Sequence, residues 1–407
     1  MGFLDFLRRN TPFLAVGILL TFCSSFGQTF FISVFAGRIR EAFELSNGDW
    51  GLIYSISTTA SAAVMIFTGI LTDTFRVRVL GPLVLALLAG ACVMMSLAQS
   101  WWMLAVAIFA LRFFGQGMAT LVATVAMARW FVASRGKALS ISRVGVGLGE
   151  AFLPLIFVAL MTDGNWRGLW LWSGGIVLLL LPLLWPLLRL ERTPQSISTD
   201  AQAAGMDDRH WTRAMMLRHP LYWLLTPMLM ATPAFSTAFF FHQVHFADTK
   251  DWSHLGLVGL FPIFTATSFV GLFAAGAVVD RIGTARLMPV IILPMAAGFA
   301  TLAFAPSLAM AGVAIGLFGL TQGLSATVPA AFWAEFYGTR YLGGIKALAA
   351  AAMVFGTAIG PALTGLLIDA GIAFEDQLLG IAAYFVAASA LVGSGIARSA
   401  RRLPAAA

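Results

Sequence analysis

The sequence predicts an all-α polytopic membrane protein with twelve transmembrane helices in two six-helix bundles related by an internal repeat. Three observations lead there. Apolar residues make up 59% of the 407 positions and charged ones 11%, against roughly 25% charged in a soluble globular protein. Charge-free runs at 51–72, 168–188, 255–279, 347–368 and 377–397 each reach the about 20 residues needed to cross a bilayer. One loop signature occurs twice, as Gly69-Ile-Leu-Thr-Asp73-Thr-Phe-Arg76-Val-Arg78 and as Gly276-Ala-Val-Val-Asp280-Arg281-Ile-Gly283-Thr-Ala-Arg286. The two leading glycines are 207 positions apart, about half the chain. A duplication on that scale, with charged turns between apolar runs, points to a carrier architecture.

The predicted helices follow in chain order. Helix 1 (11–36) comes after Arg8 and Arg9; it is too long for a signal peptide and has no small-residue cleavage site behind it, so it reads as a retained span. Helix 2 (48–72) runs into the first loop signature. Helices 3 (79–98) and 4 (102–128) are divided at Gln99-Ser100-Trp101. Helix 5 (137–162) carries Gly145, Gly147 and Gly149, small residues that let backbones approach. Helix 6 (167–190) holds a charge-free run. The polar stretch 191–218 is a linker too short for a folded domain, with room for a surface helix, so the expected domains are 1–190, this linker, and 219–407. Helix 7 (219–245) ends in Phe239-Phe240-Phe241-His242-Gln243-Val244-His245. Helix 8 (254–279) runs into the second signature. Ala305-Pro306-Ser307 separates helix 9 (287–304) from helix 10 (307–332). Helix 11 (344–370) carries Gly356, Gly360 and Pro361, and helix 12 (376–397) completes the second bundle.

Twelve helices put both termini on one side, and basic residues identify it. One set of loops and ends holds nineteen Arg and Lys residues, among them Arg76, Arg78, Arg129, Arg135, Lys137, Arg281, Arg286 and Arg402; the other holds Arg38, Arg40, Arg167 and Lys250. The positive-inside rule makes the first set cytoplasmic and places the protein in the cytoplasmic (inner) membrane with both termini inside. Trp50, Trp101, Trp102, Trp166 and Trp252 fall at the opposite ends, as interfacial anchors. The 25 basic residues against 18 acids are thus accounted for by topology, with no nucleic-acid partner implied. Cys23 and Cys92 lie within apolar runs and read as core residues. The repeat continues through Gln116-Gly117 with Gln322-Gly323 and Lys137-Ala138-Leu139 with Lys346-Ala347-Leu348.

With these residues the chain resembles the major facilitator superfamily. That family's loop signature is Gly-x-x-x-Asp-Arg-x-Gly-Arg-Arg; the second copy here keeps Asp280, Arg281 and Gly283, while the first keeps Gly69 and Asp73 but has Thr74 in place of Arg. A second family signature, Arg-x-x-Gln-Gly on helix 4, is matched loosely by Arg112-Phe-Phe-Gly115-Gln116-Gly117. The resemblance implies two bundles around a cavity open alternately to each side. It also implies a cytoplasmic gate formed by Gly69, Asp73, Arg76, Arg78, Gly276, Asp280, Arg281, Gly283 and Arg286. Arg129-Trp130-Phe131-Val-Ala-Ser-Arg135-Gly136-Lys137-Ala138-Leu139 is similar to the loop before helix 5 in monocarboxylate and oxalate–formate carriers. Unlike those carriers, this chain has no Arg on helix 8 and no acidic-Gly-aromatic opening on helix 1.

Ionisable side chains at mid-membrane depth are functional candidates by default. Three qualify: Arg112 on helix 4, and Arg143 and Glu150 on helix 5. Arg112 and Glu150 lie at similar depth on adjacent antiparallel helices and are expected to approach each other. Arg143 lies two turns from Glu150 on the same face. Two cations and one carboxylate favour an anionic substrate. Three readings stay open: a fixed Arg112–Glu150 brace, a coupling pair released when Glu150 takes a proton, and an anion clamp from Arg112 or Arg143. His242 can titrate near neutral pH, and Gln28, Tyr54, Thr321 and Gln322 are uncharged polar groups at comparable depth.

Together these features predict a secondary active transporter of a small, monocarboxylate-like organic anion, working by alternating access with the proton as coupling ion. An exporter of neutral or amphipathic molecules, or a non-transporting membrane sensor, are the alternatives. The chain shows no His-Glu-x-x-His, Gly-x-Ser-x-Gly, phosphate loop or Cys/His metal cluster, so no enzyme activity, cofactor or metal is expected. A monomer in the lipid bilayer is the expected form.

Overall fold

The computed structural model describes residues 3–69, 71–131, 134–161, 165–189 and 204–403. Among the described residues the protein is all-α, with twelve helices long and apolar enough to cross a membrane. These are spans 1 to 6 at Asp5–Gly27, Asn47–Thr68, Val77–Leu97, Trp101–Trp130, Gly136–Leu160 and Trp166–Leu188, and spans 7 to 12 at Pro220–Phe241, His254–Ile282, Thr284–Ala303, Leu308–Tyr337, Gly344–Asp369 and Phe374–Arg402. The chain forms two compact units, Met1–Thr199 and Asp200–Ala407.

Each unit uses the same internal pairing. In the first, span 1 packs on span 5, span 2 on span 4 and span 3 on span 6; in the second, span 7 packs on span 11, span 8 on span 10 and span 9 on span 12. Small residues set these contacts, as they do where lipid leaves no hydrophobic drive between helices. A Cβ on Gly145 would stand 2.0 Å from the Ile18 carbonyl oxygen, and one on Gly360 would stand 2.0 Å from that of Ala234. The helix 5 and helix 11 glycines therefore do equivalent work in the two halves.

Several spans are less regular than a hydropathy reading suggests. Helix 1, expected to run unbroken over 11–36, ends at Ser24, passes through a tight turn at Ser25–Gly27 and an extended Gln28 (φ −84°, ψ 154°), and restarts at Thr29–Ile32. Serine and glycine are weak helix formers, and no proline marks the break. Span 7 breaks at His242 before Gln243–Thr249, span 8 between His254–Val258 and Phe261–Ile282, and span 9 between Thr284–Val290 and Leu293–Ala303. Prolines at 262 and 294 open the second segments of spans 8 and 9, where a missing N–H costs nothing. Trp101 and Trp102 are exposed as anchors should be, but Trp50 and Trp166 are buried within the protein instead. Cys23 and Cys92 are free and buried.

The linker expected at 191–218 lies outside the described residues up to 203. From Ala204 it is tied to the second unit. The Trp211 amide donates to the Tyr337 carbonyl at 3.1 Å, and its indole donates to the Met206 carbonyl at 2.9 Å. A short helix, Arg213–Arg218, leads to His219. There Arg402 makes a two-pronged pair with Asp207, Nε–Oδ1 3.0 Å and Nη2–Oδ2 3.0 Å. Its Nη1 reaches His219 Nε2 at 3.0 Å, while His219 Nδ1 accepts from the Leu221 amide at 3.3 Å and caps span 7.

A neutral imidazole has one acceptor nitrogen, so it serves either Leu221 or Arg402, and an imidazolium serves neither. Burial pushes the His219 pKa below its ordinary value, Arg402 adds to that and Asp207 opposes it. A depressed histidine contributes stability above its unfolded value of about 6.5, and that contribution is lost as pH falls through the lower folded-state value. Thermal unfolding in detergent should therefore show the wild type losing ground to His219→Gln between neutral and mildly acidic pH. The difference should be small, since exposed charged contacts contribute about 0–1 kcal/mol; parallel curves at all pH values would count against the clasp.

Candidate functional site

The break in span 1 exposes backbone groups inside the first unit, and span 4 answers it. Gly27 and Gly115 meet with no room for a side chain: a Cβ on Gly27 would lie 2.1 Å from the Leu111 carbonyl oxygen, and one on Gly115 2.6 Å from Gly27 Cα. At this contact span 4 widens into π-type hydrogen bonding over Arg112–Ala119. Such bulges re-aim side chains and recur at functional sites. Arg112 opens it, and its Nη1 donates to the Gly27 carbonyl at 3.3 Å and to Thr29 Oγ1 at 3.3 Å. The guanidinium lies 5.3 Å from the centre of the Tyr54 ring, and Tyr54 Oη and Thr29 Oγ1 are 2.5 Å apart.

This cluster is closed. Arg112 is 2% exposed and Tyr54 is fully buried. Arg112 Nε has no hydrogen-bond partner, and among the described residues no carboxylate pairs with it. The expected Arg112–Glu150 pair is not made. Span 1 is the physical reason: it runs between spans 4 and 5, touching Gly115 on one side and Gly149, whose Cβ would meet Ser25 Oγ, on the other. Its freed carbonyl takes the guanidinium first.

Arg143 and Glu150 are placed differently. The Arg143 side chain is exposed and forms no ion pair or hydrogen bond among the described residues. Its neighbour Ser142 faces span 1, accepting from Thr21 Oγ1 at 2.5 Å. Arg143 lies eight residues after Arg135, where the helix begins, or roughly 12 Å along the axis. Glu150 is half-buried on the same helix. Gln28 is half-buried beside the break.

Among its described residues the second unit holds nothing like the Arg112 cluster. Gln116 and Gln322 are 206 positions apart, and the same offset sets Phe318 where Arg112 stands; the loop-signature offset sets Phe261 where Tyr54 stands. Both are buried in an aromatic cluster, with Phe318 at 4.4 Å from Phe299 and Phe261 at 5.0 Å from Phe240, centroid to centroid. His242 is buried at the span 7 break, its Nε2 2.9 Å from the Pro361 carbonyl oxygen. Thr321 is fully buried with its hydroxyl unsatisfied, while Gln322 is exposed.

At the repeated loops, Arg76, Arg78, Asp280, Arg281 and Arg286 are exposed. The Asp73 side chain lies outside what is described, and Asp280 makes no ion pair among the described residues. Gly69 closes span 2, and Gly283, with φ +80°, occupies backbone space that suits glycine. What pins each loop is a residue on the neighbouring helix. Arg129 Nη1 donates to the Thr72 carbonyl at 2.6 Å, and Thr284 Oγ1 donates to Glu335 in a short bond. Arg129 and Glu335 occupy the same position of the repeat, 206 apart with opposite charge. Sequence reading passed over Glu335 and Thr29; the repeat offset would have flagged the first, and nothing short of the helix break flags the second.

The family model of the Major Facilitator Superfamily matches residues 17–361. The chain belongs to the Major Facilitator Superfamily. Solved superfamily structures agree on the fold. A bacterial homologue of the human lysosomal transporter Spinster superposes with TM-score 0.72 at 18% identity over 98% of this chain and 99% of that one. The nucleoside transporter NupG superposes with TM-score 0.73 at 13% identity over 95% and 98%. Among curated proteins, a probable sulfoacetate transporter, SauU, of Cupriavidus necator is 32% identical over 178 residues. That match covers 42% of this superfamily member and 40% of the relative's length.

Two measurements check the site's construction. Gly27→Ala and Gly115→Ala should each destabilise the protein by at least the ~1–3 kcal/mol of an overpacked core, whereas Gly276→Ala, with open space around its Cβ position, should be neutral in the same thermal assay. Arg112→Met should lower stability by ~1–3 kcal/mol, because it orphans the Gly27 carbonyl in a dry interior; an unchanged melting curve would show that the carbonyl finds another donor.

Proposed function

We propose that the protein is a secondary active carrier that moves a small organic anion across the cytoplasmic membrane by alternating access. Arg143 is its anion-contacting residue and Arg112 a positioning residue. The observation that carries this is the contrast between the two arginines. Arg112 is buried and engaged with the backbone of span 1, while Arg143 presents an exposed guanidinium with no carboxylate partner among the described residues. A guanidinium binds carboxylate, sulfonate or phosphate oxygens through paired N–H donors. The partial relative's name extends the substrate class to sulfonates. Glu150, half-buried two turns along the helix from Arg143, is the coupling group: a proton taken there removes the negative charge nearest the anion in sequence.

The same reading places the Arg-rich loops and both termini in the cytoplasm and assigns the loops around Asp73 and Asp280 to the cytoplasmic gate. It involves no chemical transformation of the substrate.

Uptake into proteoliposomes of short carboxylates and sulfonates, with and without a pH gradient, tests the proposal. Arg143→Gln should raise KM by about tenfold or more, equivalent to ~1.4 kcal/mol, without lowering the melting temperature. Glu150→Gln should abolish gradient dependence while leaving exchange of substrate across the membrane. Wild-type KM in Arg143→Gln would remove that residue as the anion contact, and gradient-driven uptake in Glu150→Gln would remove Glu150 from coupling.

A further inference from the structure

Spans 3 and 6 pack together along the first unit and leave a groove of about 240 Å³ at their Arg-rich end, lined by Arg78, Val79, Trp185 and Leu188. Leu188 is buried and forms the floor, held close to Gly81, whose Cβ position is 3.6 Å from Leu188 Cδ1. Val79 and Trp185 are exposed and form the walls. Away from the groove, Leu83 and Leu87 continue the exposed face of Val79 at four-residue spacing, and Leu179 and Leu183 do the same on span 6. The eight helical steps from Val79 to Leu87 extend roughly 12 Å along the helix. The result is a track with an arginine and a tryptophan at its mouth and two apolar ridges behind.

We propose that this groove binds one anionic phospholipid, with its phosphate on Arg78, its glycerol region against the Trp185 ring, and an acyl chain along the ridges. Each part has a physical basis. Exposed leucines in a membrane span face hydrocarbon, tryptophan settles at the headgroup level, and arginines between helices at the cytoplasmic side attract acidic headgroups. None of the four lining residues is acidic, and Arg76, exposed two positions earlier, adds to the positive field. That field selects a net-anionic lipid over a zwitterionic one. The loop-signature offset puts Ala285 where Arg78 stands, with Arg286 one position further on. The proposal does not depend on what the carrier transports.

Native mass spectrometry of delipidated protein, titrated with phosphatidylglycerol or with phosphatidylcholine, tests it directly. The wild type should retain one phosphatidylglycerol in preference to phosphatidylcholine. Arg78→Gln should weaken that retention roughly fivefold, the scale of one arginine at a membrane surface, and Arg76→Gln, outside the groove, should weaken it less. Trp185→Leu should weaken it while leaving the preference for the anionic headgroup. Equal retention of the two lipids by the wild type would overturn the proposal. Equal losses in Arg78→Gln and Arg76→Gln would also overturn it, showing diffuse attraction to the surface instead of a site.

Discussion

The first unit depends on one hydrogen bond, from Arg112 to the carbonyl of Gly27. A bilayer interior supplies no water to a carbonyl released by a broken helix, so the break in span 1 persists only where the protein supplies a donor. The Gly27–Gly115 contact brings span 4 close enough, and the widened turn after Leu111 carries the arginine to the gap. The remaining features follow from that bond. Thr29 and Tyr54 complete the guanidinium's surroundings, the cation is drawn away from Glu150, and Arg143 stays exposed on span 5.

Architecture was readable from residue order because its signals are periodic and repeated. Charge-free runs and two copies of one loop locate the twelve spans found among the described residues. The interruptions were not readable. Ser24-Ser25-Phe26-Gly27 contains no proline, and a serine or glycine within an apolar helix is as consistent with tight packing as with a break. Depth along a helix placed Arg112 level with Glu150, and depth was the whole basis for pairing them. Two groups at one level still need facing directions, and the broken span between them supplied a nearer acceptor. Trp50 and Trp166 show the same limit: each lies at the predicted membrane boundary, yet each is buried within the protein.

The two halves share a scaffold and differ in what fills it. Glycines in spans 5 and 11 meet spans 1 and 7 through the same close approach to a carbonyl. Where the first half places Arg112 and Tyr54, the second places Phe318 and Phe261 among edge-on and tilted rings. A buried cation is costly in a low-dielectric medium, and an aromatic cluster fills similar space without that cost. Duplication supplies two equivalent frames, and the polar frame is confined to one of them.

Arg129 and Glu335 carry a different implication. Each fastens the loop beside it, one by donating a hydrogen bond to a carbonyl and the other by accepting one from a hydroxyl. A direct exchange of either residue for the other would confront a loop with the wrong polarity. Glutamine has both an amide that donates and a carbonyl that accepts, so at this position it fits either loop. The repeat thus keeps the fastening while reversing its polarity, a cation answering a carbonyl in one half and a carboxylate answering a hydroxyl in the other.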